Sequence, residues 1–177
     1  SYSVTGVQTC ALPILPAWSI QNHESFMEMK FILDVHLGRL AKYLRLCGFD
    51  SLFSAFYDDR EIIEVAIMES RVILTRDRLL LKSATMATGY LVKSQYHEEQ
   101  LREVFEEFGL KQHVKLFSRC IACNTLLEEV RKEDIADRLL ADTRAYYDRF
   151  RRCPGCYRIY WEGSHYDNMK KSLLPLL

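Results

Sequence analysis

The chain has 177 residues and 20.8 kDa, room for one medium domain or one domain with a small appendix. Apolar residues make up 49% and charged residues 27%, ordinary globular values that exclude wholesale disorder and collagen-like repeats. No uncharged apolar run approaches the roughly 18 residues of a membrane-spanning helix. The formal charge is zero but unevenly split. Residues 1–110 carry 11 basic and 15 acidic side chains, and residues 111–177 carry 13 and 9. An acidic front suits a bound cation, and a basic back suits a polyanion.

The stretch from Val4 to Ile14 resembles the translation of a common sequencing-library adapter, so residues 1–14 are expected to be an artefact outside the domain. Residues 15–28 read as a non-domain upstream segment, with Met27 or Met29 as the expected natural start. Lys30–Asp34 then reads as a short apolar strand ending in a carboxylate. Leu37, Leu40, Ala41 and Leu44 recur at three and four, the stripe of an amphipathic helix that Gly48 would stop. Ser51–Ala55 is a second strand candidate, followed by a helix over Glu61–Glu69 with Ile62, Ile63, Ala66 and Ile67 inward.

Val72–Thr75 is a third strand, and a helix is expected from Asp77 to Ala87. Tyr90–Val92 is a fourth strand, before a helix over Glu98–Phe108 striped by Leu101, Val104, Phe105 and Phe108. Strands alternating with helices predict an α/β body, a parallel sheet covered on both faces. Farther on, Ile135–Tyr147 reads as helical.

In such a sheet ligands collect beyond the carboxyl ends of the strands. Asp34 closes the first strand, Asp58 and Asp59 follow the second, and Asp77 follows the third. Carboxylates converging there repel one another unless a cation lies between them. Oxygen ligands select Mg²⁺ or Mn²⁺, ions suited to phosphodiester hydrolysis. Asp59 and Asp77 can equally cap the helices that follow them, whereas an acid ending a buried strand, as Asp34 does, needs a partner. His36 reads as a surface residue at the helix start. Arg39, Lys42 and Arg45 form a basic helix face beside the acids, and Arg76 either holds a carboxylate or contacts phosphate, which makes these four the candidate substrate contacts.

Six cysteines occur, five beyond Cys10. Cys120, Cys123, Cys153 and Cys156 form two CxxC pairs, the signature of a closed, tetrahedral, structural Zn²⁺ site in a reducing compartment. The 29 residues between the pairs exceed the usual ribbon spacing and must hold an insertion. Arg149, Arg151, Arg152 and Arg158 interleave with Tyr157, Tyr160 and Trp161, a mixture that suits either a polyanion with stackable bases or a small aromatic core.

Phe31–Ala41 and Leu44–Asp50 together resemble the opening motif of a known family. Asp58–Ile63, Arg71–Arg78, Arg119–Asn124, Cys153–Cys156 and Ile159–His165 continue the likeness. The family is the ribonuclease domain found at the C-terminus of the nematode Mut-seven exonuclease. The resemblance implies a PIN-like parallel sheet flanked by helices over residues 29–115 and a small C-terminal Cys₄ zinc ribbon over 116–177. It implies a Mg²⁺- or Mn²⁺-dependent ribonuclease whose acids are Asp34, Asp58 or Asp59, and Asp77, with Glu61 the nearest candidate for a fourth, unless it pairs with Arg76. An RNA substrate, a cytoplasmic location, no membrane association and a possible protein partner through the ribbon follow from the same reading. Tyr157 departs from the family pattern, standing where zinc knuckles favour glycine. The competing expectation is a non-catalytic RNA-binding or interaction module with a degenerate body.

Overall fold

Short apolar runs that are buried on both sides pair in parallel, and four of them form the centre of this protein. The computed structural model describes residues 29–176; the adapter-like stretch and the upstream segment lie outside the described residues. The strands are β1 (Lys30–Leu33), β2 (Asp50–Phe53), β3 (Val72–Thr75) and β4 (Gly89–Leu91), all parallel in the order β2-β1-β3-β4. Between them run α1 (Gly38–Leu46), α2 (Asp59–Met68) and α3 (Arg78–Ser83), and α4 (His97–Glu107) follows β4.

Side chains alternate across a strand, and two cores result. Phe31, Leu33 and Leu74 face α1 and α4, where Leu40, Leu44, Leu101, Val104 and Phe105 are fully buried. Ile32 and Ile73 face the other way, onto Ile62, Ala66 and Leu80 of α2 and α3. The helical stripes expected of α1 and α4 are the buried faces. On α2 the stripe is narrower than expected, since Ile67 is 46% exposed. The helix expected over Asp77–Ala87 ends at Ser83. Gly48 does close α1: its φ of +97° and the Lys115 carbonyl 2.5 Å from where a Cβ would stand leave no room for a side chain.

A second, antiparallel sheet holds β5 (Glu128–Val130), β6 (Phe150–Arg152) and β7 (Ile159–Trp161) in that order. The single helix expected over Ile135–Tyr147 is two pieces, a 3-10 stretch Lys132–Arg138 and α5 (Ala141–Tyr146), broken at the extended Leu139 and Leu140. Only Ile135 of that span is buried, so no apolar stripe holds one continuous helix against a core. The last helix, α6 (Ser164–Leu173), returns to the body: Leu173 and Leu176 are buried in the core of α1 and α4, and the Tyr166 ring lies 4.0 Å from that of Phe117.

Candidate active site and zinc centre

The chain order reverses between β1 and β3, the switch point beyond whose carboxyl ends such sheets place their ligands. Asp34 stands there, only 4% exposed. Its Oδ1 accepts the His36 N–H at 2.8 Å, and its Oδ2 accepts the Arg76 N–H at 3.1 Å and the Thr75 hydroxyl. A buried acid with three donors is satisfied as a carboxylate and held in one orientation. Thr75 also accepts the Asp77 N–H at 2.8 Å, which ties Asp77 to the same point. Thr75 gave no sign of this role in the sequence beyond ending a strand.

The other acids are exposed. Asp77 caps α3 by accepting the Leu79 N–H at 2.7 Å. Asp58 caps α2, accepting the Glu61 N–H at 2.8 Å while Glu61 Oε2 accepts the Asp58 N–H at 2.9 Å, a reciprocal capping box. Glu61 is therefore engaged with Asp58, and its expected alternative pairing with Arg76 does not occur. Asp59, the next residue, is exposed at the helix start. Among the described residues these acids do not form a group of three or more that could hold a metal ion by themselves. Magnesium needs only one or two carboxylates, with water and phosphate oxygens completing its shell, and Asp34 with Asp77 can supply that number.

Sequence reasoning missed Glu103 on α4, since it lies off that helix's apolar stripe. Its carboxylate accepts the Tyr90 hydroxyl and the Lys93 and Ser94 N–H groups at 2.9–3.0 Å, which pins the loop after β4 at the same end of the sheet. Burial works against the charge, but those donors prevail and hold Glu103 below the usual carboxylate range.

The basic face is smaller than expected. Arg39, Lys42 and Arg76 are exposed, but Arg45 is buried. Its Nε donates to the Ser51 carbonyl at 2.8 Å and its Nη1 to the Ile121 and Ala122 carbonyls at 3.1 and 3.0 Å. Arg45 is thus a bolt between α1 and the first CxxC pair, with no face left for phosphate.

Both CxxC pairs fold into the same turn. The Asn124 N–H donates to the Cys120 carbonyl and the Tyr157 N–H to the Cys153 carbonyl, each at 2.9 Å, and Asn124 and Tyr157 adopt left-handed φ values of 72° and 60°. The turns bring the four sulfurs within 4.8 Å of one another. Cys120–Cys156 and Cys123–Cys153 are 3.5 and 3.3 Å apart, far beyond a disulfide and near the ~3.8 Å spacing of a tetrahedral site with ~2.3 Å Zn–S bonds. The donor set fits a metal ion such as zinc.

Two of the thiols are shifted in opposite directions. Burial disfavours a Cys123 thiolate, but donors from Thr125, Cys153 and Cys120 outweigh it and bring Cys123 down to about 6. Burial, with the neighbouring thiols, pushes Cys156 up to about 12. Thiolates this close cannot all ionise without a cation among them. The Tyr160 hydroxyl lies 3.0 Å from the Cys120 sulfur and can support it from the second sheet.

A polar network locks this centre to the body. Asp50 at the start of β2 pairs with Arg71 at 2.5 Å and Arg119 at 3.4 Å, and accepts the Asn124 Nδ2 at 2.8 Å. Burial alone would raise the Asp50 pKa; the Arg71 and Asn124 hydrogen bonds and both guanidinium charges instead hold it below its ordinary value. Asn124 Oδ1 accepts the Ser51 N–H at 3.0 Å, covering a donor on the open edge of β2.

The protein is thus a parallel α/β body with a fixed acid at its switch point, continued by four clustered cysteines that could hold a metal ion. Residues 29–173 match the Mut7-C RNAse domain, and the chain belongs to that family. No curated protein and no solved structure matches it.

Proposed function

We propose that the protein is a ribonuclease that hydrolyses RNA phosphodiester bonds at the strand-end face around Asp34, with Mg²⁺ or Mn²⁺ as cofactor. The observation that carries this reading is the placement of Asp34, buried at the switch point and oriented by three donors. Asp34, Asp59 and Asp77 would hold the ion, with Asp58 occupied chiefly in capping α2. Such an ion activates water and neutralises charge that builds on the phosphate. Exposed Arg39, Lys42 and Arg76 would contact the RNA backbone and set its register. The four cysteines would hold structural Zn²⁺, and residues 116–177 would form a ribbon that aids RNA or protein binding beside a nuclease body over 29–115. Thiol ligands of this kind suit a reducing compartment such as the cytoplasm. Among the described residues no helix is long and apolar enough to cross a membrane.

The test is cleavage of end-labelled single-stranded and hairpin RNA with Mn²⁺, with Mg²⁺ and with neither, beside Asp34→Asn. Metal-dependent cleavage that Asp34→Asn abolishes, with fold and zinc content intact, supports the reading. The dispersed acids favour one alternative, a non-catalytic RNA-binding module. That alternative expects RNA retention without turnover, weakened by salt and indifferent to Asp34→Asn.

A further inference from the structure

Away from the strand-end face, a cleft of about 860 Å³ opens between the second sheet, α5 and α6. That volume is typical of small-molecule pockets. Its wall is aromatic: the Tyr147 and Phe150 ring centroids lie 6.5 and 6.4 Å from that of Trp161, and Tyr166 of α6, packed on Phe117, lines the same cleft. Trp161 is 39% exposed rather than sealed in a core. Gly163 lets the backbone pack closely against these rings, since a Cβ there would stand 2.9 Å from Trp161 Nε1 and 3.2 Å from the Tyr147 hydroxyl.

The charges at the cleft are unequal in their freedom. Asp148 is paired with Lys132 at 2.8 Å, and Glu129 stands opposite Arg151 in the β5–β6 ladder. Arg151 donates to the Phe117 carbonyl at 2.7 Å. Exposed Arg149 and His165 line the same cleft, with Glu162 the acid on that rim. Flat apolar faces beside an uncommitted guanidinium are what an unpaired nucleotide needs, its base stacked and its phosphate on the cation.

We propose that this cleft binds unpaired RNA bases, stacking them on Trp161 and Tyr147 with Arg149 on the adjoining phosphate, and so directs the enzyme to single-stranded segments. The proposal rests on the reading of the chain as one that acts on RNA. Duplex RNA is excluded because its bases are stacked on each other and offer no free face. The exposed Trp161 and Tyr147 rings beside the Arg149 guanidinium favour RNA over an acidic peptide, which has no bases to stack, and the 13 basic against 9 acidic side chains of residues 111–177 favour it over a neutral one.

Trp161 is its own reporter. In a Trp18→Phe background it is the sole tryptophan. The zinc-loaded protein, without Mg²⁺ or Mn²⁺, is titrated with a short single-stranded oligoadenylate and with the matching duplex. The expected result is saturable quenching by the single strand and little by the duplex. Read by the anisotropy of an end-labelled strand, Trp161→Ala and Arg149→Ala each weaken binding roughly tenfold, whereas Trp161→Phe keeps most of it. Unquenched Trp161, equal response to the duplex, or undiminished affinity in both folded alanine variants overturns the proposal. So does quenching by an unrelated peptide but not by RNA. If Trp161→Ala fails to retain zinc, the quenching and Arg149→Ala decide the matter. RNA bound at Trp161 without cleavage would sink the ribonuclease reading and leave the cleft standing; cleavage with a silent Trp161 would do the reverse.

Discussion

The Thr75 hydroxyl donates to Asp34 Oδ2 while accepting the backbone N–H of Asp77, so one side chain at the end of β3 sets two acids from different segments. Thr75→Val keeps the shape and removes both contacts. Its expected effect is a roughly 10- to 100-fold fall in metal-dependent RNA cleavage, the usual penalty for losing a group that orients a ligand. Asp34→Asn should abolish cleavage. Rates at saturating metal and across a metal titration separate lost orientation from lost affinity.

Removal of the metal from the four cysteines should loosen more than the ribbon. Arg45 and Asn124 tie the first cysteine turn to α1 and β2, so the energy of a metal bound by the cysteines would be shared with the body. Cys153→Ser is expected to lose zinc and lower the melting temperature. Hydrogen exchange at the Ser51 amide should accelerate with it, and an unchanged Ser51 amide would show that the two modules are not coupled.

Asp50 gives the protein an acid limit. Its folded pKa lies below the unfolded value of ~3.9. The stability it contributes is therefore complete above the ordinary carboxylate range and is lost as pH falls through the depressed folded value. Asp50→Asn should cost about 2 kcal/mol or more at neutral pH, because Arg71 stays buried with only Glu69 as an ionic partner. The difference between variant and parent should shrink below pH ~4, measured by denaturant unfolding across pH.

Tyr157 holds a left-handed φ of 60° in the second cysteine turn while its side chain is 63% exposed. Tyr157→Gly relieves roughly 1 kcal/mol of backbone strain. It should raise the melting temperature by about 2–4 °C with zinc retained. A lower value would mean that the ring contributes more than the turn loses.

What the sequence discloses here depends on how local the physics is. Val72–Thr75 was readable because four consecutive strand-forming residues make a buried strand on their own. The cysteine pairs were readable because three-residue spacing sets the turn. Arg45 was misread because its place in α1 resembles those of Arg39 and Lys42, while two of its three partners lie 76 and 77 residues away. The break at Leu139 and Leu140 was hidden for a related reason: the apolar letters are present, but nothing buries them. Asp34 announced itself as a lone acid on an apolar strand, whereas the hydroxyl that orients it did not.

The bond from Ser51 to Asn124 also bears on how the chain is made. Seventy-three residues separate them, and a ribosome adds on the order of 5–20 residues per second. For several seconds the nascent sheet carries β2 as an uncovered edge, open to pairing with another chain. Fragments that stop before the first cysteine turn should therefore accumulate as aggregates, which makes the late-arriving cysteine turn a guard on the early-made strand.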